Sequence, residues 1–496
     1  MKKISKLLAL LLAFVMAFSV MPVAFATEAD ACPMIFVPGI NTSLLYTDVD
    51  DTGTEMSFPG FEEIKTMVAN ELVPALVVYA ANRDTEKLAA VLSEQFNIMF
   101  EDYFLNSDGS VKENSGAILR YPDSVSKNSV HIFDWDWRAD PFDAAAKLND
   151  FVNYAIEKSG SEKVSLVSHS LGSVVILTYL SVYGDDKVSG IVYDSPAIDG
   201  VNYLGEFLLG NFETDGEALI AAVNGLFSAT ENEGLIESVM DVFELAGLPA
   251  ELSLLLNSVL DELAPAIFRD TLIPLFGRWP TIWSLVPDGD FDAAVDLIFS
   301  EYLTDSESMK LKEKIVRYDR EVRNDRYETL LDFDEEGRFA VISRYGFSSL
   351  PLMDRWAETG DTVIETKSTS LGATTSLIGS TLDESYLSGR EEKYISPDKT
   401  IDASTCLFPE KTWFIKGIKH ADTVTESLYW SLLYGEKEAT CDSFELGRFS
   451  RYDAETGSFV EDTSKPEKNE KKSPLAVLFN FLKEVLKKLF SFFKLG

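Results

Sequence analysis

Ser170 is the side chain of this 496-residue chain best placed for covalent chemistry. It lies in Val164-Ser165-Leu166-Val167-Ser168-His169-Ser170-Leu171-Gly172-Ser173-Val174-Val175, which reads as a buried strand, a sharp turn and a helix start. Alternating apolar residues before the turn suit a central strand, and Val174-Val175-Ile176-Leu177 followed by Tyr179-Leu180 suits a helix packed on a sheet. Such a turn needs small neighbours, because its backbone is unfavourable and it brings strand and helix close together. Gly172 meets that need, and Ser168 stands where a glycine is usual, so the pentapeptide is S-x-S-x-G. A hydroxyl at that tip attacks acyl carbonyls once a base takes its proton. The pentapeptide by itself also fits a surface serine in an ordinary loop, so the rest of the chain must decide.

The usual base is a histidine held in one tautomer by a carboxylate, and the chain has three histidines. His169 adjoins the serine, so its side chain is expected to point elsewhere. His131, in the apparent strand 129–133, precedes the nucleophile. A serine on a strand-turn-helix elbow belongs to the α/β-hydrolase arrangement, whose chain order is Ser, then Asp or Glu, then His. That leaves His420, just past the late strand 412–418, at the kind of strand end where open α/β sheets gather catalytic groups. The acid is expected between Ser170 and His420 after another strand. Residues 338–346 supply the strand, and Asp361 follows in Gly360-Asp361-Thr362-Val363, with Asp354 and Glu358 as nearby competitors.

Acyl transfer also needs backbone N–H donors for the oxyanion. Leu171, next after the nucleophile, supplies one. The second is expected from the loop after an early strand, in Pro33-Met34-Ile35-Phe36-Val37-Pro38-Gly39-Ile40-Asn41-Thr42-Ser43, where the amides of Ile40 and Asn41 follow a Pro-Gly turn.

These blocks together resemble the lecithin:cholesterol acyltransferase family, which includes lysosomal phospholipase A2 and bacterial relatives. The resemblance rests on residues 33–43, Asp136-Trp137-Arg138, Ser168-His169-Ser170-Leu171-Gly172, Gly360-Asp361-Thr362-Val363 and Ile418-Lys419-His420. The blocks fall in the family's order and span Pro33 to about Tyr434. The resemblance implies an α/β-hydrolase fold whose serine attacks a lipid or other ester and forms an acyl-enzyme, with Asn41 as the second oxyanion donor and Ile40 as its alternative. The chain departs from the family at Ser168, which replaces a glycine, and in the acid block, which lacks the second glycine of D-G-T-V. It also has no cysteine between Cys32 and Cys406 to bound a lid loop, so the family's substrate choice, a sterol acceptor in particular, does not transfer.

The expected architecture is α/β: a mostly parallel sheet flanked by helices, with a large helical cap and a C-terminal amphipathic helix. Residues 27–200 form the first part of the hydrolase core, with a helical lid insertion at about 61–105. Residues 201–337 form the cap, with helical patterns at 217–227, 235–245 and 252–267. Its stretch Trp279-Pro280-Thr281-Ile282-Trp283-Ser284-Leu285-Val286-Pro287 resembles an aromatic-proline stretch of the family's cap; it either helps hold acyl chains or forms the cap's own core. Residues 338–450 form the second part of the core, 451–473 a polar linker, and 474–496 the amphipathic helix.

Lys2-Lys3 and Lys6, the apolar run 7–20 and Ala24-Phe25-Ala26 have the three parts of a secretory signal peptide over residues 1–26, so the protein is expected to be secreted or held at the cell surface. Three cysteines in an exported chain leave one unpaired; Cys406 with Cys441 is the candidate bridge, beside a bridge-free alternative. The formal net charge is −37, which argues against nucleic-acid partners, since phosphate contacts need a basic face. Residues 465–496 carry eight lysines against three glutamates. At 474–496 the polar residues recur at helical spacing opposite Leu, Val and Phe, which suits a membrane surface or docking on the protein's own acidic body. No cofactor or metal is expected, because neither a phosphate-binding glycine loop nor a metal-ligand cluster is legible. The functional expectation is a secreted serine hydrolase acting on lipid or other carboxylic esters. The alternative from another class is a non-catalytic surface- or membrane-binding protein on the same fold.

Overall fold

The computed structural model describes residues 32–466 apart from 51–52, 57–66, 68–69, 72, 219, 221–223, 225–232, 350–353 and 436–437, together with residues 477, 480, 482 and 483. The 1–26 leader lies outside the described residues, as do most of the 217–227 helix of the cap, the 467–473 end of the linker and most of the 474–496 helix.

The centre is an eight-stranded sheet built from β1 (Met34–Val37), β2 (Val130–Ile132), β3 (Val164–His169), β4 (Val188–Asp194), β5 (Arg338–Tyr345), β6 (Thr412–Lys416), β7 (Phe449–Asp453) and β8 (Ser458–Glu461). Its order is β2-β1-β3-β4-β5-β6-β7-β8. Every neighbouring pair is parallel except β7 with β8. Parallel strands are covered on both faces and read as near-continuous apolar runs; accordingly β3 is buried at every residue but its last. Alternation sorts β1 onto two faces, with Ile35 and Val37 in one core cluster and Met34 and Phe36 in the other. This is the α/β-hydrolase fold expected from the sequence.

Helix α3 (Pro141–Ser159) leads into β3 and helix α4 (Gly172–Tyr183) leaves it. Asp140 caps α3, accepting the Phe142 amide at 3.0 Å ahead of a proline at the first turn, and Gly160 ends it at φ 68°. Residues 172–180 of α4 are all buried, which is why this stretch shows no polar stripe.

The expected cap between β4 and β5 is helical. Among the described residues it includes α5 (Asn202–Leu208), α6 (Glu233–Leu245), α7 (Leu248–Ile267), α8 (Pro280–Ser284), α9 (Asp288–Glu301), α10 (Ser306–Tyr318) and α11 (Arg326–Glu336). Among its described residues the lid insertion holds α1 (Val73–Asn82) and α2 (Thr85–Met99). It is tied to the cap: Tyr79 and Leu88 cluster with Leu263, and the Tyr79 hydroxyl donates to Glu262 at 2.7 Å. Trp279 and Trp283 are packing groups. Both are buried in the main core; the Trp279 indole stacks edge-on to Trp137 at 5.3 Å and donates to the Tyr103 carbonyl at 3.1 Å.

Two expectations are corrected. Residues 451–461, read as linker, finish the sheet as the end of β7 and all of β8. Their polar alternation belongs to an edge ribbon, where one face meets water; β8 is exposed at both ends and half-buried between. The Cys406–Cys441 bridge does not form, because all three cysteines are free and buried. The two thiols lie in different core clusters, Cys406 with Phe414 and Phe449, Cys441 with Trp413 and Ile415. On β6, Phe414 alternates with Trp413 and Ile415, which puts the two thiols on opposite faces of that strand.

Candidate active site

Ser170 follows the last residue of β3 and has φ 56°, a left-handed backbone that costs a non-glycine residue of order 1 kcal/mol or more. The surroundings enforce it. The Ser170 amide donates to the Asp194 carbonyl at 3.1 Å, and its carbonyl accepts from the Ser173 amide and hydroxyl at 3.0 and 2.7 Å. A Cβ on Gly172 would stand 2.0 Å from the Val37 carbonyl oxygen, so only glycine fits there. Ser168 does occupy the usual glycine position, fully buried, with its hydroxyl lacking a partner among the described residues.

The loop after β1 presses on this elbow. A Cβ on Gly39 would lie 2.8 Å from Ser170 Cβ and 3.2 Å from Ser170 Oγ. Asn41 has φ 58°, a conformation asparagine tolerates better than most residues. Two tryptophans fasten the loop: the Trp135 indole donates to the Pro38 carbonyl at 2.9 Å and the Trp137 indole to the Ser43 carbonyl at 3.1 Å. Arg138 is fully buried and forms a two-pronged pair with Asp136 at 2.9 and 2.7 Å. The Asp136-Trp137-Arg138 block is thus the support of the loop. Among the described residues the backbone N–H groups of Ile40, Asn41 and Leu171 have no acceptor, so they remain donors for a ligand.

His420 follows β6, and Asp361 lies in the loop after β5. His420 Nδ1 is 2.6 Å from Asp361 Oδ2, and the His420 amide donates to the Asp361 carbonyl at 2.7 Å. Asp361 is fully buried, and its Oδ1 accepts the amides of Val363 and Ile364 at 3.0 and 2.8 Å. Burial by itself would raise this carboxyl; the His420 ring, its hydrogen bond and the Ile364 amide outweigh burial and hold it at about 2. Thr362 takes φ 88° at the position next after Asp361, where the resembled family has glycine, so the sequence departure reappears as backbone strain. The competitors lie apart: Glu358 accepts from the Asn202 side chain at 2.6 Å, and Asp354 sits in the short turn Asp354–Ala357.

His131 is on the far side of β1, bonded to Ser129 at 2.6 Å. His169 is not turned away as expected: its ring lies 4.6 Å from that of His420, centroid to centroid. Burial first, then His420 and Arg344, push His169 down to about 3, so it is a neutral wall against which His420 rests. Among the described residues no hydrogen bond joins His420 to Ser170; such bonds often tighten only with substrate bound.

Sequence reasoning missed the groups behind the site. Asp194 and Arg344, at the ends of β4 and β5, form a buried pair at 2.9 Å. Glu365 is buried too, with Oε2 accepting the Asn202 amide at 3.2 Å and Oε1 unpartnered among the described residues; burial pushes it up to about 8. The sequence signal for Asp194 and Arg344 is a charged residue at or next to the end of a mostly apolar strand, and no such signal marks Glu365.

Residues 123–234 match the family model of the alpha/beta hydrolase fold, a segment holding β2 to β4, Ser170 and the first part of the cap. No curated protein matches the chain. Among solved structures, a chain from "The crystal structure of Tle4-Tli4 complex" aligns at 15% identity with a TM-score of 0.21, covering 40% of this chain and 54% of that one. The alignment therefore spans about half the length of that solved chain. Fold and family model together support a hydrolase in general.

Proposed function

We propose that the protein is an exported serine hydrolase that cleaves lipid or other carboxylic esters through an acyl-enzyme on Ser170, a bacterial relative of the lecithin:cholesterol acyltransferase family. The observation that carries the reading is the 2.6 Å Asp361–His420 bond, held beside a strained serine elbow. Asp361 and His420 come from two separate strand ends, and the His420 ring rests on His169, next in sequence to Ser170, an arrangement a binding protein has no need to hold.

In this mechanism the Asp361 carboxylate accepts a hydrogen bond from Nδ1–H of His420, which keeps the proton on Nδ1 and leaves Nε2 as the base. Ser170 Oγ attacks the ester carbonyl as His420 takes its proton. The amides of Leu171 and of Asn41 or Ile40 receive the oxyanion. His420 then returns the proton to the leaving alcohol; a water attacking the acyl-enzyme loses its proton to the same nitrogen, which passes it to Ser170 Oγ as the acyl–Oγ bond breaks and the carboxylic acid leaves. Water is the default acceptor, and an alcohol takes its place where the cap keeps water out.

The test is labelling of the full chain with a fluorophosphonate probe and turnover of p-nitrophenyl esters of graded chain length, beside Ser170→Ala and His420→Ala. Labelling and turnover lost in both variants support the reading, and the chain-length profile separates a lipase from a short-chain esterase. A folded wild type that neither labels nor turns over would point to the non-catalytic binding protein.

A further inference from the structure

Arg344 is fully buried and spends all of its donors in one place. Its Nε and Nη2 reach Asp194 at 3.2 and 2.9 Å, and Nη2 also donates to the Thr425 hydroxyl at 2.8 Å. Its Nη1 offers two protons shared among three carbonyls of the base loop, those of Lys419, His420 and Asp422, at 2.6, 2.9 and 3.0 Å. Asp194, also fully buried, accepts the Tyr429 hydroxyl at 2.7 Å from helix Glu426–Tyr434, which follows the loop. Its own backbone carbonyl receives the Ser170 amide at 3.1 Å.

We infer that the Asp194–Arg344 pair is the positioning device of this site, setting the backbone of the base loop and locking it to the elbow that carries the nucleophile. The inference rests on the reading of Ser170 and His420 as the reacting groups. A buried ion pair is weak evidence for stability, since apolar residues of similar volume often serve as well. What apolar residues cannot do is satisfy three carbonyls within four residues of a loop that forms neither helix nor strand. Those carbonyls face one guanidinium, so the loop's path around His420 is set by the place where β5 ends. Asp194 is bonded on one side to the Ser170 backbone and on the other to Arg344, so nucleophile and base share one rigid reference. The pair also occupies a second carboxylate that stands at a strand end near the base, leaving Asp361 to orient His420.

Arg344→Lys separates charge from geometry. A lysine keeps a cation beside Asp194 but has three donors and no planar fork, so it cannot hold the carboxylate and all three carbonyls. The full-length variant is compared with wild type in kcat, KM and fluorophosphonate labelling. The hydrogen-bonded Nδ1 proton of His420 is followed by NMR and assigned by its loss in His420→Ala. The expected result is a cooperative melt, kcat and labelling rate lower by about 100-fold with KM within about twofold, and a shifted or broadened proton signal. A folded Arg344→Lys with wild-type kcat and an unchanged signal overturns the inference. Where Arg344→Lys does not fold, Thr425→Val decides: it keeps the ion pair and loses one tether, and a kcat lower by about tenfold at constant KM supports the inference, whereas an unchanged kcat overturns it. A wild type without turnover or labelling sinks the hydrolase reading; the His420 proton signal then tests this inference by itself, and a signal unchanged in Arg344→Lys overturns it.

Discussion

Replacing Asp361 by asparagine tests the site at its best-defined bond. Oδ1 of Asp361 is committed to two backbone amides and Oδ2 to His420. An asparagine that keeps its oxygen on the amides must aim its NH2 at His420 Nδ1. The reverse flip sets an NH2 against two N–H donors and leaves both unpaired, at about 1–3 kcal/mol each. The first orientation therefore wins, and it forces His420 to accept at Nδ1 and carry its proton on Nε2. A ring in that tautomer cannot take the Ser170 proton. The expected loss in kcat is ~10^4-fold, about 5 kcal/mol of transition-state stabilisation. Stability falls as well: a buried carboxyl held at about 2 instead of 3.8 contributes about 2 kcal/mol to the folded state. Because the folded value is the lower one, that contribution is complete above pH ~4 and disappears as pH falls through about 2. The assays are ester turnover at neutral pH and chemical unfolding from pH 2 to 7, with wild type and Asp361→Asn in parallel. An Asp361→Asn enzyme within tenfold of wild type, or a stability gap that does not close toward pH 2, would refute the assignment of Asp361.

Two further outcomes follow from the packing. Gly39→Ala places a methyl 2.8 Å from Ser170 Cβ, so loop or elbow must yield by several tenths of an ångström. Fluorophosphonate labelling is expected to slow by about 10- to 100-fold, with about 1–3 kcal/mol lost from overpacking; wild-type labelling and melting would show that the loop does not abut the nucleophile. Cys32, Cys406 and Cys441 are free, and burial pushes the Cys406 thiol up to about 11 and that of Cys441 up to about 12. Dithiothreitol should leave the melting temperature unchanged, and a thiol reagent should count three thiols only after denaturation. A count of one would restore the bridge.

Much of this molecule was legible from local rules. Alternating apolar residues marked β3, the run 338–346 marked β5, and a small residue after the serine marked the elbow. Chain order selected Asp361 and His420 as candidates, and the structure brings those two side chains into contact. The edge ribbon β7–β8 was missed because its polar residues match a linker in composition. The Cys406–Cys441 pairing was misjudged because proximity in sequence says nothing about which face of β6 each residue takes.

What the sequence by itself determined was the inventory and its order: an α/β chain, a serine on an elbow, a helical cap between β4 and β5, and one histidine after β6. What only the tertiary structure decided was the environment of those groups. Asp194 and Arg344 stand 150 positions apart, as do no two residues that a local pattern can relate. His169, read as turned away, becomes the wall behind His420. Thr362 accepts a left-handed backbone because the loop around Asp361 closes on it. Local sequence sets backbone preference and which face is buried, since both depend on near neighbours. The tautomer of a histidine, the ionisation of a buried carboxylate and the path of a catalytic loop depend on groups that meet only when distant strand ends come together.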